Sequence, residues 1–435
     1  MKRFLNYINN NVLLRVASLN SVSVFIRIVA GFLTSKAIAI YVGAEGMALI
    51  GNLRNFLSSM QAISILGLYE GVVKYIAEFK NNTKELSKSL STAFYAGFIA
   101  TVLVSFTCYL QAHSINDYLF SSNYDYAFAI KILALALPFF SLNMFSFSIL
   151  NGFSKFRIII VINIIGQILG LAITLFLIWQ SRIDGALISV AISESLIFLI
   201  TLVGIVNQRS LMPLIKVKSI SVKFIKRYSS YSVMALFSAI LLPLVALAVR
   251  TYIIDNVGLK EAGFWEAMTR ISKYYLMFIS TLLSLYILPR FSEIDSIKEF
   301  REEVFNFYKT IIPIFALGLL IIYLSRSLIV SVVLSKEFKP VEDLFFWQLL
   351  GDFIKVLSTV IAYQFLAKKM FWHYIITEAF SVIILYVSSL YFIDLFGVKG
   401  VVIAHFVNYV LYFAVILLIF YSSLFGVLPE NENED

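Results

Sequence analysis

Residues 228–254 read YSSYSVMALFSAILLPLVALAVRTYII, an apolar run of membrane-spanning length with one basic residue, Arg250. About 20 apolar residues suffice for a helix to cross a hydrocarbon core of about 30 Å. A basic side chain at the centre of a spanning helix costs about 2.5 to 3.5 kcal/mol on insertion, so such residues normally face a water-filled cavity. The stretch therefore predicts a membrane helix that borders a wet, electropositive pathway.

The composition extends this prediction to the whole chain. Its 435 residues are 60% hydrophobic and 14% charged, and the mean hydropathy is +0.88. A soluble globular protein has only about 45 to 50% apolar residues, so we expect an all-α polytopic membrane protein. Twelve stretches predict transmembrane helices: 12–41, 46–78, 89–112, 127–151, 157–180, 184–207, 228–254, 263–290, 306–325, 342–367, 371–393 and 399–424.

Several basic side chains lie inside these predicted spans, well away from the helix ends. Because the excess is positive, the cavity they border should hold something negative. The net charge of +9 is divided between short loops and buried positions, which argues against nucleic acid as a partner. The basic residues that lie well away from the helix ends are Arg27, Lys36, Arg54, Arg250, Arg270 and Lys355.

The loops predict the orientation of the chain in the membrane. If the N-terminus is cytoplasmic, the inside segments hold nineteen Lys and Arg residues and the outside loops hold six. Cytoplasmic loops carry the excess of Lys and Arg in membrane proteins. Both termini are therefore predicted to be cytoplasmic, and residues 426–435 are predicted to be an acidic, disordered tail.

An internal repeat predicts two lobes of six helices each. VGAEG at 42–46 resembles VGLKEAG at 257–263, and in both halves basic residues stand at similar distances before and after the first glycine. The basic stretch 208–227 would connect lobes 1–207 and 228–425. Transporters built from parallel repeats bind substrate near the midplane between them, so we expect a central cationic cavity.

Polar side chains form stripes along several predicted spans. Glu266, Arg270 and Lys273 share one face of the eighth span. Such stripes serve either a pathway or hydrogen bonding between helices, and the second alternative is weakest for arginines that outnumber nearby acids. Glu266 lies near a span end, where its carboxylate is expected to reach the membrane surface.

Three carboxylates are candidates for coupling transport to a proton or a sodium ion. Glu194 and Glu378 lie well inside the sixth and eleventh spans, and a buried carboxylate must find a partner or stay protonated. Asp352 is the third candidate. It lies one turn before Lys355, so the two side chains either neutralise each other or take part in coupling.

The sequence gives no support for catalytic or cofactor chemistry. Cys108 is the only cysteine, and His113, His373 and His405 lie in different helices at different depths. Phosphate-binding loops, dinucleotide fingerprints and serine-hydrolase elbows are missing from the sequence. The outside loops are too short for a sugar-binding domain. We therefore predict a transporter without a cofactor, not an enzyme.

Three stretches resemble one transporter family. They are GNLR at 51–54, GVVKYIA at 71–77, and LFFWQLLGDFIK at 344–355 followed by YIITE at 374–378. They look like the Wzx-type flippases of O-antigen and enterobacterial common antigen units, and are most similar to the lipid III flippase branch. The resemblance implies the fold of the multidrug/oligosaccharidyl-lipid/polysaccharide exporter superfamily, as in MATE transporters. It places Arg27 and Arg54 at the basic positions of the family's first two helices.

The resemblance and the charge pattern together imply a function. The substrate would be an undecaprenyl-diphosphate-linked oligosaccharide, carried across the bacterial inner membrane from the cytoplasmic to the periplasmic leaflet by alternating access. Partners would include membrane lipids and the polysaccharide polymerase and chain-length machinery. The diphosphate would bind Arg27, Lys36, Arg54, Arg250, Arg270, Lys273 and Lys355.

Two other functions are compatible with parts of the sequence. A drug or metabolite cation antiporter of the same superfamily would need a cavity rich in carboxylates, whereas bases predominate here. A membrane subunit or enzyme of polysaccharide assembly that does not transport would need larger outside loops. Transport is driven by the membrane potential alone or by ion antiport through Glu194, Asp352 or Glu378.

Overall fold

The computed structural model describes residues 12–206 and 214–426, and this part of the chain is helical and without a β-strand. The helices are α1 Val12–Tyr41, α2 Gly43–Ser64, α3 Tyr69–Phe79, α4 Thr83–Leu110, α5 Ala112–Phe120, α6 Ala127–Gly152, α7 Phe156–Val206, α8 Val222–Asn256, α9 Leu259–Leu282, α10 Leu288–Glu293, α11 Ile297–Leu324, α12 Arg326–Val333, α13 Phe345–Ala367, α14 Phe371–Phe396, α15 Val398–Ile419 and α16 Tyr421–Phe425. A π-helical turn, Leu283–Ile287, follows α9, and 3-10 helices occupy Val217–Ser219 and Lys336–Leu344.

Ten of the helical segments described are long and apolar enough to cross a membrane, which confirms the polytopic all-α class. The predicted fifth and sixth spans share one segment, Phe156–Gly204, with non-helical backbone at Ser181 and Arg182. The predicted eighth span forms α9, whose charged side chains make it too polar to be counted among the ten. The number of twelve spans stays a prediction.

The chain divides into two compact units. Unit 1 comprises the residues up to Val42 and Leu49–Leu247, and unit 2 comprises Gly43–Ala48 and the chain from Ala248 onward. The division falls within α8. The lobe limits proposed from the repeat stay a prediction, and the acidic tail beyond Gly426 lies outside the described residues, as does the first part of the connector.

In unit 1 the second predicted span, 46–78, is not one continuous helix. After α2 ends at Ser64, Leu66 and Gly67 both have positive φ, 51° and 59°. A left-handed backbone is strained for leucine and easy for glycine. A Cβ at Gly67 would lie 3.0 Å from the Cβ of Ala235, so close packing against α8 also favours glycine here. The chain resumes as α3.

The part of the connector before α8, residues 214–221, is attached to the first half of α4. Ser91 Oγ accepts a hydrogen bond from the backbone N–H of Lys216 at 2.9 Å. Thr92 Oγ1 accepts one from the backbone N–H of Ser221 at 3.0 Å. These two bonds join hydroxyl groups of the helix to main-chain atoms of the connector, and Ser87 Oγ adds contacts with the Leu214 carbonyl at 2.5 Å and with Ser219 Oγ at 3.3 Å.

Unit 2 has a hydrophobic core where the end of α9, the following π-helical turn and α10 meet α11, α13 and α15. Its centre contains Ile287, Phe291, Val360, Ile361 and Phe365, all fully buried. Further along, α13 packs against both α9 and α15. This packing brings together polar side chains from three helices that are distant in the sequence.

Candidate functional site

The candidate charged residues of unit 1 are accessible. Arg27 of α1 and Glu194 of α7 are exposed and lie within electrostatic range of each other. Glu194 Oε2 accepts a hydrogen bond from Gln61 Nε2 at 2.8 Å. Lys36 and Arg54 are half-buried in α1 and α2. The structure thus brings a predicted substrate-binding residue close to a predicted coupling residue.

In unit 2, Arg250 of α8 and Arg270 of α9 share one carboxylate, that of Glu266. Arg250 Nη2 lies 2.6 Å from Glu266 Oε2, and Arg270 Nε lies 3.1 Å from Glu266 Oε1. The Arg250 guanidinium also lies over the Trp265 ring, 5.1 Å from its centroid. All three charged side chains are at most 5% exposed. The cluster holds two positive charges against one negative charge.

The expectation that Glu266 reaches the membrane surface is wrong, because the residue is buried between two guanidinium groups. Removing one partner from a buried ion pair costs about 3 to 5 kcal/mol. The cluster is therefore a fixed part of the unit. The i,i+4 spacing of Glu266 and Arg270 indicated their pair, whereas no local pattern indicated Arg250. Lys273, the third member of the stripe, is exposed.

Asp352 of α13 is fully buried, and four side chains lie within hydrogen-bonding distance of its carboxylate. Its Oδ2 accepts from Ser272 Oγ at 2.5 Å and also from the Tyr275 hydroxyl. Gln348 Nε2 lies 3.2 Å from the same oxygen, and His405 Nε2 lies 2.9 Å from Oδ1. A buried carboxylate is tolerated when its lone pairs are used in this way. The sequence identified Asp352 and missed these partners.

Three residues of the run LFFWQLLGDFIK pack around His405 of α15. A Cβ on Gly351 would lie 2.4 Å from His405 Cδ2, so only glycine lets the imidazole pack this close to α13. Gln348 Nε2 lies 3.3 Å from His405 Nε2, and Asp352 holds the same nitrogen. Gln, Gly and Asp of the run therefore form one seat for a histidine 53 residues further along the chain.

Lys355 and Glu378 continue this network. The Lys355 ammonium lies 5.3 Å from the centroid of the Tyr409 ring and within electrostatic range of both Glu378 and Asp352. Tyr409 in turn packs edge-on against His405, with 4.9 Å between ring centroids. Three predicted site residues, on α13 and α14, thus meet through two residues of α15 that sequence analysis had not selected.

A family model described as polysaccharide biosynthesis protein matches residues 49–343, more than half of the chain. The chain belongs to this polysaccharide biosynthesis protein family. The matched residues include Arg54 and the Arg250, Glu266, Arg270 cluster, and they end just before the run at 344–355.

Proteins similar to this chain agree with the prediction that it is a transporter. The lipid III flippase of Escherichia coli (strain K12) is 27% identical over 395 residues, covering 90% of this chain and 94% of that protein. The lipid II flippase MurJ in an inward closed conformation has a TM-score of 0.73 at 15% identity, over 93% of this chain and 87% of that one. An inward-facing multidrug resistance MATE family transporter has a TM-score of 0.73 at 12% identity, over 92% and 98%. These comparisons confirm the resemblance to Wzx-type flippases. They also confirm the prediction that the chain is a transporter and not an enzyme.

Proposed function

We propose that the chain is a flippase for an undecaprenyl-diphosphate-linked oligosaccharide, an O-antigen or enterobacterial-common-antigen-like unit. It moves this lipid from the cytoplasmic to the periplasmic leaflet of the bacterial inner membrane. The observation that carries the proposal is the buried cluster of basic side chains: Arg250 and Arg270 both contact the carboxylate of Glu266. A diphosphate is a group that such side chains stabilise. The 27% identical lipid III flippase supports the substrate class.

The proposed architecture is twelve spans in two six-helix lobes, 1–207 and 228–425, around a central cationic cavity. Both termini are cytoplasmic, because Lys and Arg predominate in the loops of that side. The lobes expose the cavity to each leaflet in turn. The polyprenyl tail stays in lipid while the polar head passes between the lobes.

The basic side chains contribute to diphosphate binding in two ways, by direct contact and through their positive potential. Guanidinium groups match phosphate oxygens in a bidentate manner, so the half-buried Arg54 and the exposed Arg27 contact the head directly. Arg250 and Arg270 keep their pairing with Glu266 and act through the positive potential of the cluster. The full set of proposed binding residues is Arg27, Lys36, Arg54, Arg250, Arg270, Lys273 and Lys355.

The membrane potential contributes to the direction of transport. A head with two negative charges that leaves a negative-inside cell gains about 4 to 5 kcal/mol per 100 mV. This gain is present whether or not a coupling ion moves in the opposite direction. Measurement of transport at a clamped potential, with no ion gradient, isolates it.

The three coupling candidates are Asp352, Glu378 and Glu194. Asp352 is the one whose hydrogen-bond partners favour a specific coupling ion, and that ion is a proton. Hard cations are held by several oxygen lone pairs, but those of Asp352 already accept hydrogen bonds from Ser272, Tyr275 and Gln348. A proton passes between the carboxylate and His405 across one hydrogen bond without displacing these donors.

The test is a flipping assay with purified protein in liposomes and a fluorescent lipid diphosphate oligosaccharide. Arg54→Ala and Arg250→Ala are each expected to reduce the rate at least tenfold, because each removes positive charge from the pathway. Arg157→Ala, at an exposed arginine at the start of α7, is the matched control and should transport at the wild-type rate. Full transport by both site variants would overturn the proposed site.

Two additional arms of the assay separate the alternatives. An imposed pH gradient should change the rate in wild type and leave His405→Gln unaffected, while a sodium gradient should affect neither. Extrusion of a cationic dye without lipid flipping would favour the drug or metabolite antiporter. Chemical modification of the lipid-linked sugar without transport would favour a membrane enzyme or subunit that works with the polysaccharide polymerase and chain-length machinery.

A further inference from the structure

A recess with a volume of about 70 Å³ lies within unit 1, beside the break between α2 and α3. Sites for whole drug-sized molecules are typically about 300 to 1,000 Å³, so this recess has room for a short hydrocarbon segment only. Its walls come from the break, from α4 and from α6. The residues that shape it most are Tyr69, Phe94, Gly97, Phe98, Met144 and Phe145.

The hydroxyl groups in the wall of the recess are engaged by the protein itself. Thr101 Oγ1 donates to the Ser64 carbonyl at 2.9 Å, and its oxygen lies 2.9 Å from Ser141 Oγ. Ser141 Oγ lies 3.1 Å from Ser64 Oγ, and Ser148 Oγ donates to the Phe145 carbonyl at 2.7 Å. These bonds also satisfy a carbonyl next to the break. The recess therefore offers an apolar surface, suited to a ligand without polar groups.

The mouth of the recess opens on the surface of α4. Phe98 is 53% and Val102 46% exposed at the mouth, and Ile99, Leu103 and Phe106 extend the same apolar face. This helix is one of the candidate membrane spans, so the medium beside the mouth is lipid hydrocarbon. A hydrocarbon chain can enter sideways from the bilayer.

Gly97 keeps the recess open. A Cβ built on this residue would meet no atom within 4 Å, although the residue lies in the middle of a helix, where glycine is unfavourable. The space above it is flanked by the rings of Phe94 and Phe98, which stack with 6.2 Å between centroids. The rings and the missing side chain leave a slot with flat walls.

We propose that this recess binds a segment of the isoprenyl chain of the transported lipid, an inference that rests on the proposed function. The planar double bonds of an isoprenyl chain fix part of its torsions, so it loses less conformational entropy in a rigid slot than a saturated acyl chain does. Its flat, methyl-branched units match the aromatic walls. Unit 1 thereby holds one segment of the tail while the head crosses and the rest of the tail stays in lipid.

The probe for this site is undecaprenyl monophosphate with a photoreactive diazirine on its terminal isoprene unit, mixed with the full chain in liposomes of phosphatidylethanolamine and phosphatidylglycerol. Illumination should label residues 93–102 and 138–148. Unlabelled undecaprenyl monophosphate should compete for the site, and added phospholipid should not. Equal labelling by a diazirine-bearing phosphatidylglycerol, with competition by phospholipid, would show a general acyl-chain site and overturn the proposal.

Two glycine variants sharpen the test. Gly97→Leu places a side chain in the slot, starting from a position where a Cβ meets no atom within 4 Å, and should lower labelling at least tenfold. Gly318→Leu is the matched control, because a Cβ there also meets no atom within 4 Å and the residue lies in another candidate span, so it should label as wild type. Labelling of Gly97→Leu at the wild-type level would contradict the proposal, and the competition arm in wild type needs no variant at all.

Labelling does not require transport, so the two proposals fail separately. If the monophosphate labels the recess and the lipid-linked oligosaccharide is not flipped, the recess stands and the flippase proposal falls. If flipping is normal in both wild type and Gly97→Leu and labelling is unaffected by the variant, the recess falls and the flippase proposal stands.

Discussion

The two units of the molecule bury polar groups in different ways. In unit 1 the buried contacts beside the recess join uncharged groups such as Thr101 and Ser141, while the charges of Arg27 and Glu194 are exposed. In unit 2 ionised groups themselves are buried, with arginines around one carboxylate and Asp352 among four donors. The Arg27 and Glu194 pair of unit 1 is thus open, whereas the arginine cluster and Asp352 of unit 2 are enclosed.

The difference teaches where a charged substrate can bind at small cost to stability. A hydrogen bond between helices in a membrane is worth about 0.6 kcal/mol on average, so unit 1 can lose or exchange one and stay folded. A buried charge cannot lose its partner without a penalty of several kcal/mol. Unit 2 is therefore suited to setting potential and proton affinity, and unit 1 to transient contact with the lipid.

The largest effect expected from this comparison follows Glu266→Gln. Removing the carboxylate leaves two buried guanidinium groups without their shared counter-charge, so the free energy of unfolding should fall by about 3 to 5 kcal/mol. Thermal unfolding in detergent, followed by tryptophan fluorescence, measures it, since Trp265 lies against the cluster. Glu302→Gln, at an exposed position of α11, is the control and should be neutral. A neutral Glu266→Gln would remove the distinction between the units.

An intermediate effect is expected for Gly351→Ala. The added methyl would overlap His405, and overpacking of this kind typically costs about 1 to 3 kcal/mol. The same substitution at Gly318 meets no atom and should stabilise the helix by about 0.5 to 1 kcal/mol. Opposite signs in the two melting temperatures would confirm that the histidine seat is tightly packed. Stabilisation by both substitutions would show that the residues around His405 move to accommodate the added methyl group.

The smallest effect is expected for Thr101→Val in unit 1. The change is close to isosteric and removes hydroxyl bonds to Ser64 and Ser141, which should cost about 0.6 to 1.7 kcal/mol. Cys108, the only cysteine and a buried one, allows unfolding to be followed with a thiol-reactive dye. Thr107→Val, exposed on the same helix, should not shift the transition. A loss as large as that of Glu266→Gln would mean that unit 1 is no more tolerant than unit 2.

Hydropathy and length predicted the helices well and their interruptions poorly. The first predicted span, 12–41, coincides with α1. The second predicted span contains polar residues and several glycines along its length, so Gly67 does not stand out in the sequence as the position of a break. That break depends on packing against Ala235, a contact between residues far apart in the sequence.

The candidate site was predictable where partners lie on the same helix. Glu266 and Arg270 are one turn apart, and their pairing follows from helical geometry. Asp352 and His405 are on different helices, and only the packing of α13 against α15 makes them neighbours. A motif can therefore reveal that Gly351 and Asp352 matter without revealing which residue they serve.

Because of the way residues 214–221 are attached to α4, the surface charge of that segment can change without loss of its attachment. Lys216 and Lys218 are exposed, so their charges can be altered freely, because the hydrogen bonds run through main-chain atoms. Substitutions at these two lysines are then tolerated, whereas loss of the hydroxyl group at Ser91 or Thr92 removes a hydrogen bond that holds the segment. Substitutions during evolution can therefore change the surface charge of this face of the protein without loss of the hydrogen bonds that attach the segment.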